Sequence, residues 1–345
     1  MIAAALLALA LAAPAAPAAS PDDAATTAIV VQDQAALRAS PRDAAESQVA
    51  LAGGDALEIR GRAKDYLKVY DHRRERGGYV RASQVRVLTL TPEHAPELLA
   101  VARFLRDVPG YEALGIGYVA AYIAAAPAGA IGAEPFDALG TMAERLARRA
   151  ATNTNTSRAP AITAQLEAIG AYGVVVKSFE RDDRMQLCYD GEAVRRVLAL
   201  PADAEMKARA ALALTREDCI DPAMTPAERA ALDTWRAGVL DRVPRTDLPS
   251  HVRHRLRLRS AGVWASIAFE RARHGEDPSD AGERALAELA GVDKRELADG
   301  DLSAYDEAAV RVGASRWSSA PPRPAPTTGL AITTTPGQPG ETCVT

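Results

Sequence analysis

Residues 54–80 read GDALEIRGRAKDYLKVYDHRRERGGYV and decide the fold of the first part of the chain. Apolar residues alternate at Leu57 and Ile59, which is the two-residue period of a strand with one buried face. The same period recurs in residues 66–70. Turn-forming residues separate the two runs and precede the third, at residues 62–65 and 76–78. The stretch therefore predicts consecutive antiparallel strands joined by short turns.

Strand-like runs continue outward from this stretch, with no helical pattern between them. The predicted strands are Ala28–Val31, Gln48–Leu51, Ala56–Arg60, Tyr66–Tyr70 and Gly78–Val80. Short strands in such close succession favour a small all-β barrel, because closure removes unpaired sheet edges. We expect this barrel to occupy residues 27–90.

The residues of this region also carry a family pattern. The successive motifs are Ala36-Leu37-Arg38-Ala39-Ser40-Pro41, Gly54-Asp55, Tyr66-Leu67-Lys68-Val69 and Gly78-Tyr79-Val80. Together they resemble the bacterial SH3 (Src homology 3) domain over about residues 28–88, with Tyr66 and Tyr79 where that family usually has Trp. The resemblance implies an SH3-like barrel that recognises a peptide, a cell-wall component or a protein. It also implies that Tyr66 and Tyr79 line the ligand groove.

A basic hairpin lies beside these aromatic residues. The segment Asp71–Arg76 contains Arg73 and Arg74, and Lys68 lies nearby. These cations predict one of two roles: docking of acidic groups of a partner, or solubility of an exposed turn. We count Tyr66, Tyr79, Lys68, Arg73 and Arg74 as candidate ligand-binding residues.

Helical patterns replace the strands from Pro92 onward. Leu98, Ala102 and Leu105 recur at helical spacing, and later helical stretches are short and separated by Pro or Gly. A polar linker, Thr152–Pro160, divides a helical segment at 91–151 from an irregular helical bundle at 160–316. The predicted fold is therefore multidomain: an SH3-like barrel, then a helical bundle, then a Pro-rich tail.

The last segment, 317–345, is rich in Pro and Thr. Ser318–Pro326 has the composition of a linker that builds no core. Leu330–Thr335 and Glu341–Thr345 read as two strands around a turn. Two expectations remain open here: a disordered tail, or the start of a truncated β-unit.

The first 19 residues have the composition of a secretory signal peptide. A continuous apolar run is followed by Pro14, Pro17 and small residues, although no Lys or Arg precedes it. No later apolar run approaches the roughly 20 residues that span a bilayer. We therefore expect a periplasmic or secreted protein without a transmembrane segment. A formal net charge of -4 argues against nucleic acid as a partner.

Three cysteines bear on this expectation. Cys188 and Cys219 flank two predicted helices, Gly191–Leu200 and Asp203–Thr215, whose antiparallel packing would bring them together. An oxidising compartment then favours a disulfide. The alternative, a catalytic thiolate at Cys188, needs a neighbouring His, and no His lies between His94 and His251. Cys343 is left as an odd thiol.

Other chemistry-bearing residues give weak signals. His251 and His254 have a metal-ligand spacing, but four arginines surround them, so we expect no metal site. The pairs Asp182-Asp183 and Glu217-Asp218 lack the apolar setting of a general acid. Gly115-Ile116-Gly117 follows no strand, as a phosphate loop would. The sequence predicts neither a cofactor nor a catalytic residue.

The leading hypothesis is an exported binding or scaffold protein of the cell envelope, whose SH3-like module recognises a peptide, cell-wall or protein partner. The alternative is an envelope enzyme, such as a peptidoglycan hydrolase, with an unrecognised helical catalytic domain. In a third hypothesis the barrel is purely structural and packs against the helices.

Overall fold

A computed structural model describes residues 27–319, with side chains described through residue 315. The predicted signal peptide at 1–19, most of the segment 317–345 and the odd Cys343 lie outside the described residues.

The N-terminal part is a seven-stranded antiparallel sheet. Its strand order is β3-β2-β6-β5-β4-β1-β7. The strands are β1 (Thr27–Val30), β2 (Ala35–Arg38), β3 (Ser47–Leu51), β4 (Ala56–Ala63), β5 (Tyr66–Asp71), β6 (Arg76–Arg81) and β7 (Val85–Leu88). Leu37, Leu57, Leu67, Val69 and Val80 form the core of one face, which confirms the alternation that predicted the central strands.

The prediction of a small closed barrel is wrong. The end strands, β3 and β7, pair only with their inner neighbours among the described residues, so the sheet is open. Two of its strands, β2 and β7, were not predicted. In β7 only Val85 and Leu88 are buried, so the strand lacks the two-residue period that identifies strands in sequence.

Helices follow the sheet. Four of them form the first group: α1 (Ala95–Arg106), α2 (Glu112–Ala125), α3 (Glu134–Thr152) and α4 (Ala159–Gly170). Six more follow: α5 (Glu192–Ala199), α6 (Ala204–Leu214), α7 (Pro226–Asp241), α8 (Ser250–Arg273), α9 (Ser279–Ala290) and α10 (Asp299–Ser319). Among residues 27–319, no helix combines the length and apolar character that a membrane crossing requires.

A β-hairpin interrupts the helices, which the prediction of a purely helical bundle did not include. Its strands are β8 (Val176–Arg181) and β9 (Arg184–Tyr189). The connecting residues, Asp182 and Asp183, both have positive φ, 52° and 58°. This is the conformation of a two-residue hairpin turn, in which Asp is well tolerated. The aspartate pair is therefore explained by turn geometry.

The sheet and the first helices share a core, so the N-terminal strands do not form a separate barrel domain. Ile29 and Leu88 of the sheet pack with Ile116 and Val119 of α2 and with Met142 of α3. Gly117 allows this contact: a Cβ at this position would lie 2.4 Å from Ile29 Cδ1. The sheet thus rests on α2 through a position that has no side chain.

Helix α8 organises the C-terminal part. One side of it, including Leu256 and Val263, packs with Leu240 and Val243 at the end of α7. The other side, including Leu258 and Ala261, packs with α9 and α10. A third stripe of α8 is left facing α3, α5 and α6 across a cleft.

Candidate ligand-binding cleft

The cleft lies between α3, α5, α6, α8 and α10 and has a volume of about 640 Å³. Small-molecule sites in proteins commonly have volumes of about 300–1,000 Å³. Seven arginines and five carboxylates line it, together with small and apolar residues. The arginines are Arg145, Arg148, Arg209, Arg216, Arg255, Arg259 and Arg311.

Helix α8 contributes one continuous stripe to the wall. Arg255, Leu258, Arg259, Gly262 and Val263 all line the cleft. Their spacings of three and four residues place them on one face of a helix. Helical geometry alone therefore places Arg259 and Gly262 next to each other.

Six of the seven arginines are already paired with carboxylates. On α8, for example, Arg255 Nε lies 2.9 Å from Asp301 Oδ1 of α10. The remaining pairs are Arg145–Glu112, Arg148–Glu144, Arg209–Asp137, Arg216–Asp218 and Arg311–Glu217. These ion pairs hold the surrounding helices together and leave little net charge on most of the wall.

The loop after α6 is the most densely paired part of the wall. Glu217 accepts hydrogen bonds from Arg229 at 3.0 Å and from Arg236 at 2.9 Å, and it lies 3.2 Å from Arg311 Nη1. Burial alone would raise the pKa of Glu217, but the charges of Arg236, Arg311 and Arg229 outweigh it and lower the pKa to about 2. Glu217 is therefore fully ionised at neutral pH.

Arg236 explains why this loop is fixed. Its guanidinium is 1% exposed and donates to Asp233 Oδ1 at 2.6 Å and to the carbonyl oxygen of Thr215 at 2.6 Å. Buried charges are tolerated when they are paired and hydrogen-bonded, as here. Arg236 and Glu217 are thus structural parts of the cleft wall.

A disulfide closes the same loop. Cys188 of β9 and Cys219, two residues after Glu217, are bonded, with their Cα atoms 5.8 Å apart. The predicted pair is therefore present, and it joins the ends of the α5–α6 hairpin. The bond excludes Cys188 as a free thiolate while it is intact.

Arg259 differs from the other arginines of the cleft. Its one hydrogen bond runs from Nη1 to the carbonyl oxygen of Leu212, at 3.3 Å. Among residues 27–315, no carboxylate lies within ion-pair distance of it. Burial, together with the charges of Arg236 and Arg216, outweighs the opposite effect of Asp218 and Glu217 and lowers the pKa of Arg259 to about 10, so the group remains a cation at neutral pH. The cleft therefore holds one charged fork whose Nε edge has no partner.

The residues predicted to bind a ligand lie far along the chain from this cleft, on the sheet. Tyr66 is 5% exposed, and its hydroxyl donates to Asp43. Lys68 and Tyr79 are direct neighbours across β5 and β6. Lys68 is exposed and Tyr79 is partly exposed, so both are accessible on the outer face of the sheet. Of the two tyrosines, only Tyr79 presents an accessible ring.

The two predicted arginines of the hairpin are engaged in ion pairs. Arg73 lies 3.0 Å from the buried Asp55 and 3.3 Å from Glu167 of α4. Arg74 lies 2.6 Å from the buried Asp71 and 3.1 Å from Asp55. The tip of this hairpin is therefore fastened to the body of the protein and to α4.

The two histidines of α8 do not meet at a common site. His251 is exposed, whereas His254 is buried, with Nε2 3.8 Å from Glu296. Within the described part of the chain, no group of three His, Cys, Asp or Glu side chains forms a cluster that would hold a metal ion.

The spacing of the arginines on α8 is the sequence signal that indicates the cleft. The arginines at 253, 255, 257 and 259 served in the sequence only as an argument against a metal site. Residues two apart in a helix point in nearly opposite directions, so this pattern makes two faces of i, i+4 pairs. Arg255 and Arg259 form the pair that lines the cleft.

Comparison with known proteins adds no assignment: no family model, curated protein or solved structure matches this chain.

Proposed function

We propose that this is an exported binding protein that holds a small anionic ligand in the cleft of its helical part. The observation that carries the proposal is the unpaired guanidinium of Arg259 in a cleft where every other arginine has a carboxylate. An uncompensated charge among protein atoms is costly, and an anion placed against it would remove the cost. Guanidinium forks bind carboxylates and phosphates with two parallel hydrogen bonds.

Glu217 of the cleft wall and its neighbour Asp218 are unsuited to act as the general acid of a hydrolase. A general acid needs a pKa raised toward neutrality. Arginines instead lower the pKa of Glu217, and although burial raises the pKa of Asp218, Arg216 outweighs it and lowers that pKa as well. These groups remain ionised and hydrogen-bonded, which suits a binding wall better than proton transfer.

Two observations support export. The apolar run of the first residues has the layout of a cleaved signal, and a disulfide joins Cys188 to Cys219. Disulfides persist in the periplasm and outside the cell, and cytosolic reductants remove most of them.

Thermal unfolding at low ionic strength tests the anion proposal. We expect at least one compound from a panel of inorganic phosphate, citrate, acetate, benzoate and octanoate to raise the melting temperature, because a ligand that binds only the folded state stabilises it. Arg259→Gln should remove the increase. Arg273→Gln, at the exposed end of the same helix, should retain it. The proposal fails if no anion stabilises the protein or if both variants respond alike.

A second candidate function concerns the sheet. Lys68 and Tyr79 form an accessible pair on its outer face, and Arg60 stacks on Tyr70 of the same face at 3.9 Å. The resemblance to bacterial SH3 domains supports recognition of a peptide, a cell-wall component or an envelope protein by this face.

Cosedimentation of the whole mature chain with purified cell walls tests this second candidate. Tyr79→Ala and Lys68→Ala should each reduce retention, because both side chains are accessible. Lys177→Ala, on the exposed face of β8, serves as the control and should leave retention unchanged. Tyr66→Ala is a poor probe, since it removes a buried ring. Absence of retention would remove the cell wall as a ligand of the sheet.

A further inference from the structure

The wall around Arg259 indicates what kind of anion fits the cleft. We propose that the ligand is an amphiphilic monoanion, with one acidic head group on Arg259 and an apolar body that lies over Gly262 between α5, α6 and α10. This inference rests on the proposed anion-binding function and specifies its ligand class.

The charge of the ligand follows from the ion pairs. Six cleft arginines each have a carboxylate at ion-pair distance, and Arg259 is the cleft arginine that has none. A second negative group on the ligand would meet Glu307, which lines the cleft and, among the described residues, has no cation at ion-pair distance. Like charges at close range are unfavourable, particularly where water is scarce. A single acidic group is therefore accommodated, and a polyanion is repelled.

The apolar body follows from the residues beside Arg259. Val194 and Val197 of α5, Leu258 of α8 and Ala308 of α10 line the same space. These four residues are already buried, and the carbon surface open to a ligand belongs to the half-buried Leu212 and Ala213 and the exposed Ala304, which also line the cleft. Contact with an apolar ligand would remove this surface from water. Ligand pockets typically combine mostly apolar walls with a few polar groups that fix orientation.

Gly262 keeps open the space next to Arg259. It lies three residues after Arg259, on the same face of α8. A Cβ at this position would meet Arg311 Nη1 at 4.0 Å and no other described atom within that distance. The glycine thus leaves a gap in the cleft wall that is lined by protein and open to a ligand.

Isothermal titration calorimetry on the mature chain with its disulfide intact tests the inference. The probes are octanoate and 3-phenylpropionate as amphiphilic acids, octan-1-ol as the neutral analogue, and acetate and inorganic phosphate as anions without an apolar body. We expect an amphiphilic acid to bind, and the neutral and small probes to bind about ten- to hundredfold more weakly, because each lacks one half of the recognition. Whether octanoate or 3-phenylpropionate binds more tightly shows whether the apolar body of the ligand is an alkyl chain or an aromatic ring.

A steric variant supplies the matched control. Gly262→Leu extends a side chain into the gap, where a Cβ lies 4.0 Å from Arg311 Nη1, and should weaken binding of the amphiphilic acid by about tenfold or more. Gly238→Leu makes the same change at an exposed position of α7 and should leave binding unchanged. Circular dichroism of both variants checks that they are folded.

The outcomes distinguish failure of the amphiphilic ligand class from failure of the proposed anion binding. If phosphate or acetate binds as tightly as octanoate, or if Gly262→Leu binds octanoate normally, the ligand is not an amphiphilic acid. The proposal of anion binding at Arg259 would still stand. If Arg259→Gln binds every anion as well as the native chain does, anion binding at Arg259 is wrong too.

Discussion

The partners of individual arginines distinguish those that stabilise the fold from the one proposed to bind a ligand. Arg236 and Arg216 are 1% and 5% exposed, and each pairs with two carboxylates. Arg259 lies near them, yet it has only a backbone carbonyl as a partner. The residue type is the same in all three cases, so only the partners reveal the difference.

The pH dependence of stability tests the role assigned to Glu217. Its pKa is lowered from 4.5 to about 2, so its contribution is fully present above pH 4.5 and is lost as the pH falls toward 2. The contribution is about 3 kcal/mol at most. We expect Glu217→Gln to be less stable than the native chain at pH 6 and to lose less stability between pH 4.5 and pH 2.

Urea unfolding at a series of pH values provides the measurement. Glu283→Gln, at an exposed position of α9, is the control and should follow the native curve. A Glu217→Gln curve parallel to the native one would contradict the ion network around this residue.

At the scale of elements, glycines mark where helices meet other parts of the fold. We expect Gly117→Ala to cost about 1–3 kcal/mol, because its Cβ would crowd Ile29 Cδ1 at 2.4 Å and the carbonyl oxygen of Gly54 at 3.3 Å. Gly238→Ala in α7 meets nothing within 4 Å and should stabilise by about 0.5–1 kcal/mol, since alanine favours the helix. Chemical denaturation of both variants gives the comparison, and equal effects would refute the close contact of α2 with the sheet.

The disulfide is the second test at this scale. Cys188 and Cys219 are 31 residues apart, and closing a loop of that length is expected to stabilise by about 3–4 kcal/mol on a chain-entropy model. We expect the double variant Cys188→Ala/Cys219→Ala to lose about that free energy. Hydrogen exchange should rise most in residues 215–219, which carry Glu217. Unchanged exchange there would show that the ion pairs hold the loop without the bond.

Local patterns in the sequence predicted some elements and missed others. The alternation in residues 57–69 predicted the central strands, and the spacing of Cys188 and Cys219 predicted their pairing. The barrel was wrong because closure depends on which strands pair, and nothing local to β3 or β7 encodes their position at the sheet ends. The β8–β9 hairpin was missed because its two-residue Asp182-Asp183 turn was interpreted as a carboxylate pair.

The cleft itself was outside the reach of such patterns. Its wall combines α3, α5, α6, α8 and α10, which are brought together by tertiary packing. The arginine spacing on α8 indicated two basic faces, but the carboxylate partners of Arg255 and Arg257 lie on α10 and α9. That Arg259 is the cleft arginine without a carboxylate at ion-pair distance follows only from the assembled fold.

At the scale of the whole molecule, we expect the unliganded protein to lose folding stability at its cleft. Cores and ion networks stabilise the surrounding helices, while the pKa of the Arg259 cation is lowered to about 10, mainly by burial. Binding sites often retain groups that reduce stability until the ligand arrives. The stability of the unliganded chain therefore reports on the role of this residue.

The most direct measurement is the free energy of unfolding of Arg259→Met without ligand, from urea denaturation at neutral pH, beside the native chain and Arg236→Met. We expect Arg259→Met to be more stable than the native chain by about 1–2 kcal/mol, since an unpaired charge is replaced by an apolar side chain of similar length. Arg236→Met should be less stable by about 3–5 kcal/mol, because it removes a buried guanidinium that pairs with Asp233 and Glu217 and donates to the carbonyl oxygen of Thr215. If Arg259→Met is destabilised as much as Arg236→Met, Arg259 is a structural residue. The cleft then has no unpaired cation for an anionic ligand.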